Sequence, residues 1–394
     1  MQELQRWDVI CQVVDHYGDA GVCLRLARAL AATPGREVRL LVDRPAVVLD
    51  LIRPPPPGDA GYGWRDRSGV RVLGWDALPG VAGAPADVVV ETFGCELPPA
   101  LQTPPPTGLA DQRSQVWLNL EHLSAEAWVE GCHGLPSPQP GGRTRWFLFP
   151  GFTDRTAGLC GPTTPLPALP ATLARWADAT APAELPETRR PDDAPRDVAR
   201  RPLTGSVFCY RESPLPDLLD AIQRGPREVR LLVPAGMPGT LGARRLDDQP
   251  GAIWQAGRLT LLRIPFLDQD IYDALLAACD FNLVRGEDSF VRAQWAARPL
   301  LWAAYRQAGA AHLDKLDAWL ARCDMPLAWA ALQTWFNGGV AGPAAEPAAL
   351  WADALASLGD TEAWAQTWRE RLLTLPRLER TLAEFAERHA SPLE

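Results

Sequence analysis

The strongest constraint on the fold is an alternation of short apolar segments with helix-length segments. Residues 7–14 are mostly apolar and of strand length, a turn with glycine follows, and apolar residues then recur with helical spacing from Val22 to Leu30. Further strand-like segments lie at residues 37–42, 69–73, 88–91, 115–120 and 145–149. Short buried strands separated by helices or loops predict a largely parallel sheet covered on both faces.

A stretch rich in proline, alanine and threonine separates this first set from a second one. It covers residues 161–202 and is typical of a linker, with one short helix near residues 171–177. The second set has strand-like segments at residues 206–210, 228–233, 259–264, 281–284 and 300–302. Its predicted helices lie at residues 216–223, 268–278 and 290–297, and the tail from residue 361 to about residue 389 is also predicted to be helical.

With 394 residues, the chain exceeds what one hydrophobic core usually organises, which favours two domains. We predict an N-terminal domain at residues 1–160, a linker at residues 161–202 and a C-terminal domain at residues 203–360. We expect the segment 361–394 to be a helix that packs back on the N-terminal domain. Two doubly wound α/β sheets would hold a ligand in the cleft between them, at the carboxyl ends of their strands.

Composition excludes several classes of protein. The formal net charge of −9 argues against nucleic-acid binding, which needs a basic surface. The chain has no apolar run long enough to span a bilayer and no leader-like start, so we predict a cytoplasmic protein without a membrane partner. The cysteines occur singly and the histidines lack ligand spacing, so we predict no metal site, although carboxylates leave a divalent cation open.

The first motif that carries chemistry follows the first predicted strand and contains Asp15, Gly18, Asp19 and Gly21. The glycines allow a tight turn from strand to helix, and the aspartates lie where α/β folds place groups that face a ligand. From the residues alone, an alternative is equally good: Asp19 is only a helix N-cap and Asp15 only a turn residue. The two glycines do not form the GxGxxG pattern, so nicotinamide binding is not favoured.

The second motif is RGEDSF at residues 285–290, between a predicted strand and a predicted helix. Backbone N–H groups and the Ser289 hydroxyl at a helix N-terminus suit a diphosphate, and Arg285 adds positive charge. Carboxylates repel a diphosphate, so Glu287 is better suited to accept hydrogen bonds from sugar or ribose hydroxyls. An ordinary capped helix start explains the same residues about as well.

Aromatic residues accompany the second motif. Phe208 and Tyr210 end one predicted strand, and Phe266 follows another. Rings at strand ends can sandwich a base, although aromatic residues on strands more often belong to the core.

Taken together, these motifs resemble one known family. The segments that carry the resemblance are WDVIC (7–11), VDHYGDAGV (14–22), NLEHLSAE (119–126), FPGF (149–152) and RGEDSF (285–290). They resemble the bacterial elongation factor P arginine rhamnosyltransferases, the EarP family, in the same order along nearly the whole chain. The proline-rich middle matches no motif.

The resemblance implies a GT-B glycosyltransferase fold with two Rossmann-like domains facing a central cleft. It also implies an acceptor site for elongation factor P on the N-terminal domain and a donor, dTDP-β-L-rhamnose, held mainly by the C-terminal domain, with no cofactor and no metal. By the same resemblance, Asp19 is the base, Asp15 assists it and Glu287 is needed for activity. The implied diphosphate contacts are Tyr210, Arg285, Asp288 and Ser289; the implied contacts at the thymidine end are Phe208, Phe266, Gln269 and Tyr272.

Two alternatives from other classes stay open at this point. The chain could be a GT-B transferase that uses another nucleotide-sugar or another acceptor. It could also be a nucleotide-binding regulator without catalysis, which would bind dTDP but not turn over.

Overall fold

The computed structural model describes residues 4–52, 64–76, 86–97, 115–178, 201–306, 308–339 and 346–390. The chain divides into two compact units: unit 1 comprises Met1–Pro162 and Leu372–Glu394, and unit 2 comprises Thr163–Arg371. Within the described part of the chain, no helix is both long enough and apolar enough to cross a membrane.

The strands, in chain order, are β1 (Arg6–Cys11), β2 (Glu37–Val42), β3 (Trp64–Arg65), β4 (Arg71–Gly74), β5 (Val88–Thr92), β6 (Val116–Leu120), β7 (Leu135–Pro138), β8 (Thr144–Leu148), β9 (Leu203–Val207), β10 (Val229–Pro234), β11 (Thr240–Leu241), β12 (Arg244–Arg245), β13 (Ile253–Ala256), β14 (Leu259–Ile264), β15 (Phe281–Arg285) and β16 (Leu300–Ala303). The α-helices are α1 (His16–Ala31), α2 (Pro45–Asp50), α3 (Val129–Cys132), α4 (Ala171–Ala177), α5 (Leu215–Arg224), α6 (Gln269–Ala278), α7 (Asp288–Trp295), α8 (Ala311–Cys323), α9 (Leu327–Phe336), α10 (Pro347–Ala356), α11 (Leu358–Leu373) and α12 (Leu378–His389).

Unit 1 is built on an eight-stranded sheet in the order β3-β4-β2-β1-β5-β6-β8-β7. The six inner strands are parallel, and the short edge strands β3 and β7 are antiparallel. Along β1, Trp7, Val9 and Ile10 are almost completely buried, as expected for a parallel strand covered on both faces. The order of the inner strands is that of a Rossmann fold, in which the strand order reverses between β1 and β5.

Unit 2 repeats this arrangement. Its six-stranded sheet has the order β13-β14-β10-β9-β15-β16, in which only the edge pair β13–β14 is antiparallel. The five parallel strands, β14 to β16 in the sheet order, again follow the Rossmann order, with the reversal between β9 and β15. A separate two-stranded antiparallel hairpin, β11–β12, lies between β10 and β13 in the sequence.

The proline-rich segment is only partly linker-like in the described residues. Helix α4 packs with Leu173 and Ala177 into a hydrophobic cluster with Leu232, Leu262 and Leu275 of unit 2. The Arg230 guanidinium also donates to the carbonyls of Trp176 and Asp178, which ties the end of α4 to β10. Residues 179–200 of the predicted linker lie outside the described residues.

Three of the predicted elements differ clearly from the structure. The strand predicted at residues 7–14 ends at Cys11, because the N–H groups of Val13, Val14 and Asp15 donate to carboxylates instead of a neighbouring strand. The strand predicted at residues 206–210 is β9, which ends at Val207. The helical tail is two helices, α11 and α12, because Pro376 cannot continue the first one.

Helix α12 lies in unit 1. The Leu378 N–H donates to the carbonyl of Leu159 at the start of this helix. The helix then packs against α1 and β6, and the Phe385 and His389 rings contact Trp146 of β8. The end of the chain is therefore part of the first Rossmann-like unit.

Candidate active site

In unit 1, both predicted catalytic aspartates lie on the turn between β1 and α1. Asp15 occupies the N-cap position of α1, but its side chain does not cap the helix. Asp19 lies within α1 and reaches back: its Oδ2 accepts hydrogen bonds from the N–H groups of Val14 at 2.8 Å and Asp15 at 2.7 Å. Asp19 is therefore not the N-cap residue, although its carboxylate does satisfy two backbone donors of the turn.

Gly18 determines where the Asp15 carboxylate lies. A Cβ atom at position 18 would come within 2.5 Å of Asp15 Oδ2 and 3.0 Å of its Cγ. The Gly18 N–H also donates to the Asp15 carbonyl, which closes the turn. The missing side chain thus leaves space for Asp15 beside Asp19.

The surroundings of Asp19 favour a basic carboxylate. Only 7% of the residue is exposed, and this burial raises the pKa of Asp19 above its ordinary value. The hydrogen bonds from the backbone of Asp15 and Val14, and the nearby charge of His122, lower the pKa and oppose this effect. A buried carboxylate with a raised pKa accepts a proton more readily than an exposed aspartate.

Two residues at neighbouring strand ends were not predicted as site residues. Phe93 follows β5 with a φ of +59°, and His122 follows β6. Their rings stack in parallel with centroids 4.3 Å apart. The carboxyl-end rule for parallel sheets could have selected both, because β5 and β6 lie beside β1 on one side of the sheet.

In unit 2, residues predicted to bind the sugar donor come together where the strand order reverses, between β9 and β15. Phe208 and Tyr210 come just after β9, not within it as predicted: the Phe208 N–H makes one further hydrogen bond to Leu283, and the chain then turns away. The Arg285 guanidinium at the end of β15 lies over both rings, 4.3 Å from the Phe208 centroid and 4.8 Å from the Tyr210 centroid. A planar cation is thus in contact with two aromatic rings.

The turn after Arg285 leads into α7. Gly286 has a φ of +60°, a conformation that glycine adopts without strain, and its carbonyl accepts a hydrogen bond from Trp302 Nε1 at 2.7 Å. Glu287 follows as the N-cap residue of α7, half-buried, and its side chain does not cap the helix. The carboxylate of Glu287 therefore stands at the helix N-terminus without serving the predicted capping role.

Ser289 and Asp288 are held by neighbouring groups. The Ser289 hydroxyl donates to the Arg285 carbonyl and accepts from the Arg285 N–H at 3.1 Å, so its proton is used within the turn. Asp288 lies 3.9 Å from Arg292 Nε, one helical turn further on, and 3.4 Å from Gln269 Nε2. These contacts join the start of α7 to the start of α6.

The predicted thymidine contacts lie on two loops, which carry Phe208 and Phe266, and in the first turn of α6, which carries Gln269 and Tyr272. The rings of Phe208 and Tyr272 meet edge to face at 6.2 Å. The Tyr272 hydroxyl is buried and has no hydrogen-bond partner in the described part of the chain, and burial raises the pKa of this phenol strongly, so it stays a donor. Phe266 follows β14 and lies against Gly236, beside the end of β10.

A cavity of about 200 Å³ borders this group of residues on the Tyr210 side. Its lining includes Tyr210, Ser213, Tyr305 and Arg306, and the Tyr210 and Tyr305 rings meet edge to face at 5.6 Å. Unit 2 thus combines aromatic rings, the Arg285 guanidinium, a helix N-terminus and adjacent open space. The roles of the individual residues in both units remain predictions.

Comparison with known proteins agrees with this arrangement. A family model described as "Elongation-Factor P (EF-P) rhamnosyltransferase EarP" matches residues 7–387. A protein-arginine rhamnosyltransferase of Pseudomonas putida (strain KT2440) is 44% identical over 329 residues, which cover 81% of this chain and 82% of that protein.

Two solved structures are similar over nearly their whole length. One concerns EarP-mediated arginine glycosylation of translation elongation factor EF-P; it has 29% identity, a TM-score of 0.53, and covers 98% of this chain and 99% of its own. The other is the spinosyn rhamnosyltransferase SpnG complexed with thymidine diphosphate, with 13% identity, a TM-score of 0.52 and coverage of 96% and 99%. The second likeness concerns the fold alone, and both neighbours are GT-B glycosyltransferases.

The predicted fold class is confirmed: the chain has the two Rossmann-like units of a GT-B glycosyltransferase. The matched residues run from the first strand of unit 1 to the last helix, and the identity to a protein-arginine rhamnosyltransferase extends over four fifths of the chain. The chain belongs to the elongation factor P rhamnosyltransferase family, EarP, and is a protein-arginine rhamnosyltransferase.

Proposed function

We propose that this enzyme transfers L-rhamnose from dTDP-β-L-rhamnose to an arginine side chain of elongation factor P, with inversion at the anomeric carbon. The observation that carries the proposal is the Arg285 guanidinium, which lies over the Phe208 and Tyr210 rings just before the N-terminal end of α7. A guanidinium beside aromatic rings and a helix N-terminus suits a nucleoside diphosphate. The acceptor is proposed because relatives are protein-arginine rhamnosyltransferases and one solved relative concerns EF-P.

The donor would be held at two points. Arg285 and the N–H groups at the start of α7 would bind the diphosphate, since a guanidinium fork and a helix N-terminus both favour oxyanions. Phe208 and Phe266 would pack on the thymine. Tyr272 and Gln269 would supply polar contacts there, and the Tyr272 hydroxyl, which has no partner among the residues that the structure describes, is a donor that a ligand could satisfy.

Asp15 and Asp19 would act on the acceptor. A guanidinium has a pKa above about 12, so no aspartate can deprotonate it before the reaction. Instead, the two carboxylates would orient the planar fork by charge-assisted hydrogen bonds. As the arginine nitrogen forms its bond to the anomeric carbon, Asp19 would take one proton from that nitrogen, and dTDP would leave with the electrons of the broken C–O bond.

Glu287 would act on the sugar. Positive charge develops on the sugar ring as the leaving group departs, and a carboxylate nearby stabilises it. Arg285 and the α7 N-terminus would stabilise the negative charge on departing dTDP. With these charges supplied by the protein, we propose that the reaction requires neither a metal nor a cofactor. Because the proposed acceptor is a translation factor, we propose the cytoplasm as the site of action.

Intact-mass analysis of elongation factor P tests the proposal. After incubation with this enzyme and dTDP-β-L-rhamnose, we expect a mass gain of one deoxyhexose on an arginine, and we expect the same yield in excess chelator. Binding of dTDP without any mass gain would favour the non-catalytic regulator, and transfer to free arginine or to a glycan would favour another acceptor. Loss of transfer on chelation would contradict the metal-independent mechanism.

Truncation of the two phenylalanines tests the thymine contacts. We expect Phe208→Ala and Phe266→Ala to weaken dTDP binding by about 1–3 kcal/mol each, the scale seen when a stacked base loses its aromatic partner. Titration calorimetry measures the affinity. The control is Phe281→Leu in β15, a fully buried ring that should lower the thermal midpoint but leave dTDP affinity unchanged. If the two alanine variants unfold early yet bind dTDP like wild type, both rings are core residues.

A further inference from the structure

Trp302, in edge strand β16, makes two contacts with the segment that carries Glu287, one before this residue and one after it. We propose that Trp302 is a positioning residue that fixes Glu287 for transfer, acting through its indole N–H on the Gly286 carbonyl. This inference rests on the function proposed above for Glu287. Trp302 is not part of the sequence motifs, and the contacts that carry the inference are with other residues of the protein.

The indole bridges the residues before and after Glu287. Trp302 pairs with Val284 in the β15–β16 ladder, which places its side chain next to the end of β15. Its Nε1 donates to the Gly286 carbonyl at 2.7 Å, and its ring stacks on Phe290 of α7 with centroids 4.0 Å apart and planes 13° apart. One side chain therefore holds both the turn and the first turn of the helix.

Trp302 is itself rigidly held. As the last strand of its sheet, β16 pairs on one side only, but side chains of α9 and the residue after it serve the other side. Gln333 accepts from the Trp302 N–H at 2.8 Å and donates to its carbonyl at 2.6 Å, and Asn337 donates to the same carbonyl at 2.7 Å. Both side chains are buried, so the backbone of Trp302 is fixed as it would be in a central strand.

The effect of this contact should fall on Glu287 more than on its neighbours. Arg285 is fixed by the β15–β16 ladder and by the Phe208 and Tyr210 rings, and Ser289 is bonded to the backbone of Arg285. Gly286 makes a longer backbone bond to β16, from its N–H to the Ala303 carbonyl at 3.3 Å, and is a glycine with positive φ, for which many backbone conformations are accessible. The bond from Trp302 to the Gly286 carbonyl is the second contact that holds this residue, and it bears directly on the peptide from which Glu287 leaves the turn.

Trp302→Phe tests the inference, because phenylalanine keeps a ring against Phe290 and loses the donor. We expect kcat for rhamnosyl transfer to fall about 10–100-fold, the scale of a displaced catalytic group, while dTDP affinity stays close to wild type. Trp302→Met, which also lacks a donor but adapts to irregular space, serves if the phenylalanine variant folds poorly.

Trp329→Phe is the matched control. Its fully buried indole also donates to a carbonyl of β16, that of Leu300 at 2.7 Å, two residues before Trp302. We expect this variant to lower the thermal midpoint at least as much as Trp302→Phe and to retain kcat. Equal losses of kcat in the two variants, or a parallel loss of dTDP affinity in Trp302→Phe, would mean that Trp302 has only a structural role.

A double-mutant cycle with Glu287→Gln separates this inference from the function on which it rests. If Trp302 acts through Glu287, adding Trp302→Phe to Glu287→Gln should reduce kcat little further. Additive losses would overturn the inference and leave the role of Glu287 intact. Wild-type kcat in Glu287→Gln alone would remove both the proposed role of Glu287 and the positioning role of Trp302.

Discussion

Asp19→Asn should nearly abolish rhamnosyl transfer while leaving dTDP affinity close to wild type and without lowering the thermal midpoint. Loss of a general base typically costs about 10²–10⁴-fold in rate, and the amide can neither accept the proton nor attract the guanidinium. Asparagine keeps an oxygen that can accept the N–H groups of Val14 and Asp15, which the carboxylate now accepts at 2.8 and 2.7 Å. Single-turnover transfer to elongation factor P measures the chemical step.

Asp19→Ala is the structural counterpart of this variant. It removes the acceptor as well as the base, so the two backbone N–H groups of the turn lose their partner. We expect a loss of roughly 1 kcal/mol in the free energy of unfolding, the scale of a lost helix cap, in addition to the loss of transfer. If Asp19→Asn turns over like wild type and only Asp19→Ala loses stability, Asp19 is a structural residue and the base must be sought at Asp15 or Glu287.

The pH dependence gives an independent check. Burial raises the pKa of Asp19 in the free enzyme, so the acid limb of kcat/KM for the acceptor should lie above pH of about 3.9, where an ordinary aspartate titrates. The same shift in pKa makes a contribution to stability that is fully present below the unfolded-state pKa and is lost as pH rises through the folded-state pKa. Asp19→Asn should therefore gain thermal stability relative to wild type as pH rises through that window.

Much of the fold follows from local apolar patterns. Strands β2 and β14 have the predicted bounds, and the central strands β5, β6 and β15 differ by one residue, because each is a short run buried on both faces. Short edge strands such as β3 and β7 were not predicted, since they bury little and their pairing is antiparallel. Helices α8, α9 and α10 were also not predicted.

The site could be predicted by position but not by contact. The carboxyl-end rule correctly brings Phe208, Tyr210 and Arg285 to the reversal of the second sheet. That the guanidinium lies over the two rings depends on side-chain packing across two strands, which no local pattern encodes. The same limit applies to Asp19, which was considered as a helix cap but instead reaches back to the turn from within α1.

Arg285→Met should cause the second large loss of activity, because it removes the positive charge proposed to meet the departing diphosphate. Loss of one donor that stabilises developing negative charge typically costs on the order of 10²–10³-fold in rate. Methionine is similar in length and can still lie against the rings of Phe208 and Tyr210, so the packing of the loop should largely survive. We expect kcat/KM for the donor and dTDP affinity to fall together, since the charge acts on bound donor and product alike.

Arg285→Lys and Arg211→Met identify the cause of that loss. Lysine keeps the charge but has neither the planar fork nor the flat face that lies over the two rings, so it should restore only part of the activity. Arg211 is exposed and lies beside Tyr210 in the sequence, and removing its charge should leave the kinetics nearly unchanged. Calorimetric titration of dTDP and initial rates of transfer for all three variants give the comparison. Wild-type kcat/KM in Arg285→Met with a lowered thermal midpoint would mean that Arg285 only packs against the rings, and the diphosphate would then have to be bound by the helix N-terminus without it.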